Sequence, residues 1–214
     1  MKTFSLLAGL MFLTALWGLV LPLADRTSFT VHMVVHMGVV AGGAPLVALG
    51  LSGSRFDVTA GRHWITPVLA SIVELFAVWG WHLPALRALS ESSIIFTVVE
   101  QASFFVAGVV LWLSCLGGAA VGREERRLAG TFGLIFTSMH MTLLGALLSL
   151  SPRPLYGTGE VSCFGIPLSA IADQQAGGVV MLLVGAIVYL AGGVALLSRS
   201  LNAGIPNETG SAGR

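Results

Sequence analysis

Six apolar stretches, each long enough to cross a bilayer, constrain this chain more than any other feature. They run approximately over 4–23, 30–51, 64–86, 94–119, 128–150 and 176–198, and each is bounded by Gly, Pro or charge. A spanning helix needs about 20 apolar residues, because the hydrocarbon core is about 30 Å thick and a helix rises about 1.5 Å per residue. Backbone N–H and C=O groups find no water in lipid, so such stretches must be helical. The sequence therefore predicts an all-α polytopic membrane protein, a bundle of six transmembrane helices. It forms one domain over 1–201, and a Gly-, Ser-, Asn- and Thr-rich cytoplasmic tail follows over 202–214.

Composition agrees. Of 214 residues, 55 % are hydrophobic and only 10 % charged, and the net charge is +1. Disorder needs high charge and few apolar residues. Nucleic-acid binding needs a basic field. Both are excluded. Lys2 followed by an apolar run has the look of a leader, but the run is long for one, and it is read as a retained first span.

Charge orients the bundle. With the N-terminus in the cytoplasm, eight of the eleven Lys and Arg residues fall on the cytoplasmic side. They are Lys2, Arg55, Arg62, Arg123, Arg126, Arg127, Arg199 and Arg214; Arg26, Arg87 and Arg153 fall outside. The positive-inside rule thus predicts both termini cytoplasmic. On this topology Cys115 and Cys163 lie near opposite membrane faces, too far apart for a disulfide. His63 is read as a solvated loop residue.

Ionisable groups inside a bilayer cost several kcal/mol, with insertion scales giving about 2.5–3.5, and such residues usually face the bundle interior. Here they are His32, His36, Glu74, His82, Glu100, His140 and Asp173, joined by Gln101, Gln174 and Gln175. The topology directs polar groups from five spans to one level, the outer half of the membrane. His32 and His36 are four apart and share a helical face. They sit in HMVVHM (32–37), and His140 sits in MHM (139–141). Imidazole suits copper, and thioether suits Cu(I). Each residue also has a plain reading, as a hydrogen-bonded interior histidine or a packing methionine. Glu74, eight residues before His82 and about 12 Å deeper, is expected to be protonated or paired.

The residues resemble a family. RTSFTVHMVVHM (26–37), WHLPAL (81–86), FFVAGVVLW (104–112), LLGALLSLSPRPLY (143–156) and ADQQAGGVVM (172–181) are similar, in order, to the motifs of the bacterial CtaG-type cytochrome c oxidase assembly factors. The resemblance implies a protein of the bacterial plasma membrane that helps supply copper to a haem-copper oxidase and catalyses no reaction itself. Its implied partners are oxidase subunits or copper chaperones. It marks His32, His36, His82 and Met181 as metal-site candidates, with His140 transferred less directly. Asp173, Gln174, Gln101, Glu74 and Glu100 are supporting residues. Where the family carries two histidines before its FF-x-x-G motif, this chain has Thr97 and Gln101. The site is therefore expected to be reduced, reshaped or replaced; if it keeps its shape, Thr97 and Gln101 should face the histidine cavity, with Gln101 orienting a histidine. Two other readings stay open: a b-type haem electron carrier with His36 and His140 as axial ligands, and a small transporter of copper or protons past Glu74.

Overall fold

In the computed structural model, residues 1–23, 25–62, 64–117 and 123–203 are described. His63 and most of the predicted tail lie outside them. Helix α1 spans Lys2–Leu23 and α2 spans Phe29–Leu51. Helices α3 (Pro67–Trp81) and α4 (Pro84–Ser92) follow. Then come α5 (Ile94–Leu116), α6 (Arg123–Ser149) and α7 (Ala170–Ala203). Five of these, α1, α2, α5, α6 and α7, are long and apolar enough to cross a membrane.

The third apolar stretch behaves differently from the expected unbroken span. Helix α3 has 15 residues, about 22 Å at 1.5 Å per residue, short of the hydrocarbon thickness. It stops at His82, and α4 leaves at 72° to it. The cause is local. Pro84 disfavours the α conformation at the preceding residue, and Leu83 is extended, with ψ 132°. A sixth crossing exists only if the bent pair α3–α4 counts as one.

Helix starts are capped by side chains. The hydroxyl of Ser28 accepts from Val31 N–H at the head of α2, and that of Thr66 accepts from Leu69 N–H at the head of α3. Helix α2 contains a π-helical segment, Gly38–Gly43, and α1 another, Leu16–Val20. Helix α1 is peripheral: Phe4, Leu7, Met11 and Leu19 are exposed. Helices α6 and α7 pair most closely. A Cβ on Gly145 would meet the Gly178 carbonyl oxygen at 2.7 Å, and one on Gly178 would meet Ser149 N at 2.6 Å. Paired small residues let membrane helices touch backbone to backbone.

One element lies outside the all-α expectation. Between α6 and α7 the chain forms a hairpin of β1 (Glu160–Cys163) and β2 (Ile166–Ser169), antiparallel, with Cys163 opposite Ile166. Phe164 and Gly165 both have positive φ, 49° and 84°, as a two-residue hairpin turn of primed type requires. Cys163 is buried in this hairpin, and both cysteines are free.

Candidate functional site

Three imidazoles meet where α3 breaks. His32 and His36 lie one turn apart on α2 with rings parallel, 6.2 Å between centroids and 8° between planes. His82, at the end of α3, comes within 5.7 Å of His32 and 5.4 Å of His36. Phe104 of α5 packs 4.0 Å from His36, and Phe29 meets His82 edge-on at 6.1 Å. All three histidines are buried.

Their hydrogen bonds are unequal. His82 Nδ1 lies 2.6 Å from the Val78 carbonyl oxygen. A carbonyl only accepts, so Nδ1 carries the proton and Nε2 is left with a free lone pair. That is the tautomer of a metal ligand oriented by a backbone carbonyl. His36 has no partner at either ring nitrogen. His32 differs again. Its Nδ1 lies 3.1 Å from Arg87 Nη1, and a guanidinium only donates. Nδ1 therefore accepts, and the proton of neutral His32 sits on Nε2. In all, four buried ring nitrogens in this layer lack partners among the described residues: Nε2 of His32 and His82 and both nitrogens of His36. Among the described residues no group of three His, Cys, Asp or Glu side chains is arranged as a metal cage. His36 and His82 offer lone pairs, whereas Arg87 occupies the third ring.

Arg87 and Glu100 form the polar edge of the layer. Arg87 also pairs with Glu91 at 3.0 Å and donates to the Arg26 carbonyl oxygen at 3.0 Å. Glu100 accepts from Ser90 Oγ at 2.7 Å and stands 3.7 Å from His32 Nδ1.

Asp173 and Gln174 hold the frame. Asp173, at the start of α7, accepts from Ser28 Oγ at 2.8 Å and from the N–H groups of Phe29 and Thr30. A carboxylate on the free N–H groups of a helix start is a strong cap, and here it comes from another helix. Gln174 accepts from Leu155 N–H at 2.6 Å and donates to the Leu148 carbonyl oxygen at 3.2 Å. It thereby folds the loop after α6 over the site. That loop delivers Tyr156, whose ring stacks on Phe29 at 4.4 Å and whose hydroxyl donates to the His82 carbonyl oxygen. Burial pushes the Tyr156 phenol up to about 12, which keeps it a donor at neutral pH.

Other candidates lie apart. Glu74 is fully buried deeper in α3 and accepts from the Tyr189 hydroxyl at 2.9 Å. Tyr189 also reaches the Val40 carbonyl oxygen, which Trp112 Nε1 meets at 3.1 Å. This junction ties α2, α3, α5 and α7 together below the histidines. His140 is buried on α6 with both nitrogens unpartnered and its ring against Phe136 at 5.7 Å. It makes no ring contact with the three-histidine layer among the described residues. Met181 is fully buried in the apolar core. In contrast, Met139 is 65 % exposed and points to lipid.

Gln101 departs from its expected place. Its Oε1 accepts from Trp17 Nε1 at 3.1 Å, and it lines a 720 Å³ groove between α1 and α5 that contains no histidine. It therefore does not orient a histidine. Thr97 borders that groove and also the small cleft beside His32, Arg87 and Glu100. It accepts from Arg26 and donates to the Ser90 carbonyl oxygen. Sequence reasoning missed Arg87, Tyr156 and Phe104 as parts of the site. Arg87 carried a usable signal, since it lies five residues after His82 and four before Glu91.

No curated protein and no solved structure matches the chain. The family model for the cytochrome c oxidase caa3 assembly factor (Caa3_CtaG) matches residues 1–203. The whole described bundle, with the histidine layer inside it, therefore belongs to a chain of the cytochrome c oxidase caa3 assembly factor family.

Proposed function

We propose that this assembly factor handles copper for the oxidase, taking Cu(I) as cargo at the His36–His82 pair and passing it to a partner. The observation that carries the reading is the set of four buried ring nitrogens without hydrogen-bond partners. An unmet buried polar group costs about 1–3 kcal/mol, so a layer that leaves four of them open is built for something to bind. Imidazole is a good ligand for copper. Two free lone pairs with a third ring held by Arg87 make an open site, suited to cargo that must leave again. The chain then acts as a metal carrier and not as an enzyme. Its partners are a copper donor and an oxidase subunit. Its place in this reading is the bacterial plasma membrane, and the Lys and Arg distribution supports an orientation with both termini cytoplasmic.

A haem reading finds little room. Phe104 lies 4.0 Å from His36, and the cleft touching His32 holds only about 20 Å³.

The test is Cu(I) competition on the detergent-purified protein, with a visible spectrum and oxidase activity of the host membranes. The wild type should bind Cu(I) without a Soret band. His36→Ala and His82→Ala should each weaken binding at least tenfold and lower oxidase maturation. Equal Cu(I) affinity in the wild type and a variant carrying both His36→Ala and His82→Ala, or a strong Soret band, would overturn the reading.

A further inference from the structure

At the end of the bundle opposite the histidines, four cations converge on one pocket. Its volume is about 270 Å³, and Lys2, Arg126, Arg127 and Arg199 line it together with Cys115 and Leu196. They come from three helices: α1, α6 and α7. Lys2 is anchored by donating from Nζ to the Ser52 carbonyl oxygen at the end of α2. None of the four makes an ion pair with a described residue. Arg126 and Arg127 are half-buried, and Arg126 Nη1 is shielded from solvent with no hydrogen-bond partner among the described residues. Asp57 stands behind the rim, but its oxygens accept from Gly53 N–H at 2.8 Å, Thr59 N–H at 3.0 Å and Thr59 Oγ1 at 2.6 Å. Among the described residues, no carboxylate lines the pocket.

We infer that this pocket binds a phosphate group, and the position points to the headgroup of an anionic phospholipid. Like charges gathered around one cavity repel, so an anion held among them is favoured. Basic pockets between transmembrane helices are a recurring form of headgroup site. Guanidinium forks match phosphate oxygens two at a time. The lining is polar above and apolar at Cys115 and Leu196, which suits a headgroup with the start of its acyl chains. A merely cytoplasmic excess of Arg would be spread over loops. Here the side chains share one cavity, whereas Arg55, on the loop after α2, lies against Phe56 at 4.7 Å and lines no part of it.

The test uses the full chain in a neutral detergent, with thermal unfolding followed by tryptophan fluorescence. The probes are phosphatidylglycerol, phosphatidylcholine and inorganic phosphate. Phosphatidylglycerol should raise the midpoint and phosphatidylcholine should not, with the shift falling as salt rises. Arg126→Gln and Arg127→Gln should each weaken the apparent affinity about fivefold, the effect of one basic residue near an anionic lipid. Arg126→Lys should lose less than Arg126→Gln, because the charge stays while the fork is lost, and Arg55→Gln should keep all of it. If inorganic phosphate stabilises with the same dependence on Arg126, the pocket takes free phosphate as well as the headgroup. If phosphate has no effect, the lipid is the ligand. Equal shifts with both lipids, no shift with any probe, or equal losses for Arg55→Gln and Arg126→Gln would overturn the inference. Should a glutamine variant fail to fold, Arg199→Gln with Arg126→Lys carries the same comparison.

Discussion

The Tyr156 hydroxyl donates to the His82 carbonyl oxygen at 2.7 Å, joining residues 74 apart in sequence. That carbonyl lies where α3 breaks, so no helical N–H follows to take it. Tyr156 supplies the missing donor and fixes the break, and with it the direction of the His82 ring. Tyr156→Phe keeps the stacking on Phe29 and removes the bond alone. It should lower thermal stability by about 1–3 kcal/mol, the cost of an unmet buried carbonyl. It should also weaken Cu(I) binding less than His82→Ala does. Unfolding midpoints and Cu(I) competition on both variants check the pair. A Tyr156→Phe protein as stable as wild type would deny the role.

Asp173 is a frame residue rather than a ligand, because both its oxygens are occupied by Ser28, Phe29 and Thr30. Asp173→Ala uncaps α2, which carries His32 and His36. The expected loss is about 2 kcal/mol, at the upper end for helix caps because the site is buried. Asp173→Asn keeps one acceptor and should lose less. Thermal unfolding ranks the three proteins, and an order with Asn below Ala would contradict the capping role.

Gly145 and Gly178 let α6 and α7 touch through their backbones. A Cβ at Gly145 meets the Gly178 carbonyl oxygen and Leu182 N, both at 2.7 Å, and backbone atoms cannot rotate away. Gly145→Ala should therefore cost about 1–3 kcal/mol, as overpacking does. In an exposed helix the same change would help. The sign of the change in the unfolding midpoint decides between contact and open space.

Asp25 ties the α1–α2 loop to the hairpin. It accepts from Thr27 Oγ1 at 2.7 Å, Thr27 N–H at 2.9 Å and Ser162 N–H at 3.1 Å. The Thr27 hydroxyl is the main cause that holds its carboxyl below the ordinary 3.8, against a smaller opposing effect of burial. A folded value below the unfolded one means the tie is at full strength above about pH 4 and fades as pH falls through the folded value. Protection of the Ser162 amide, measured as exchange relative to the intrinsic rate at the same pH, should fall on acidification below that point. In Asp25→Asn the protection should already be low at pH 7 and lose this acid step.

Much of the bundle was legible in the sequence because membrane helices answer to local rules. Hydrophobic length sets where α1, α2, α5, α6 and α7 run, and the i, i+4 spacing alone puts His32 and His36 on one face. The break at His82 was written in Leu83-Pro84, yet the apolar run around it read as one span, since hydropathy registers composition and not the conformation before a proline.

What the site does with its histidines depends on neighbours far away in sequence, and no spacing rule reaches them. Arg87 meets His32 across 55 residues and sets where its proton sits. Gln101, expected to face the histidines, instead accepts from the Trp17 indole N–H across 84 residues. Local periodicity determined which faces these side chains occupy. Only the packing of α1, α4 and the Tyr156 loop against them decided which ring nitrogens are bonded and which are left free, because a hydrogen bond is made at contact distance and the contacts are formed by the fold.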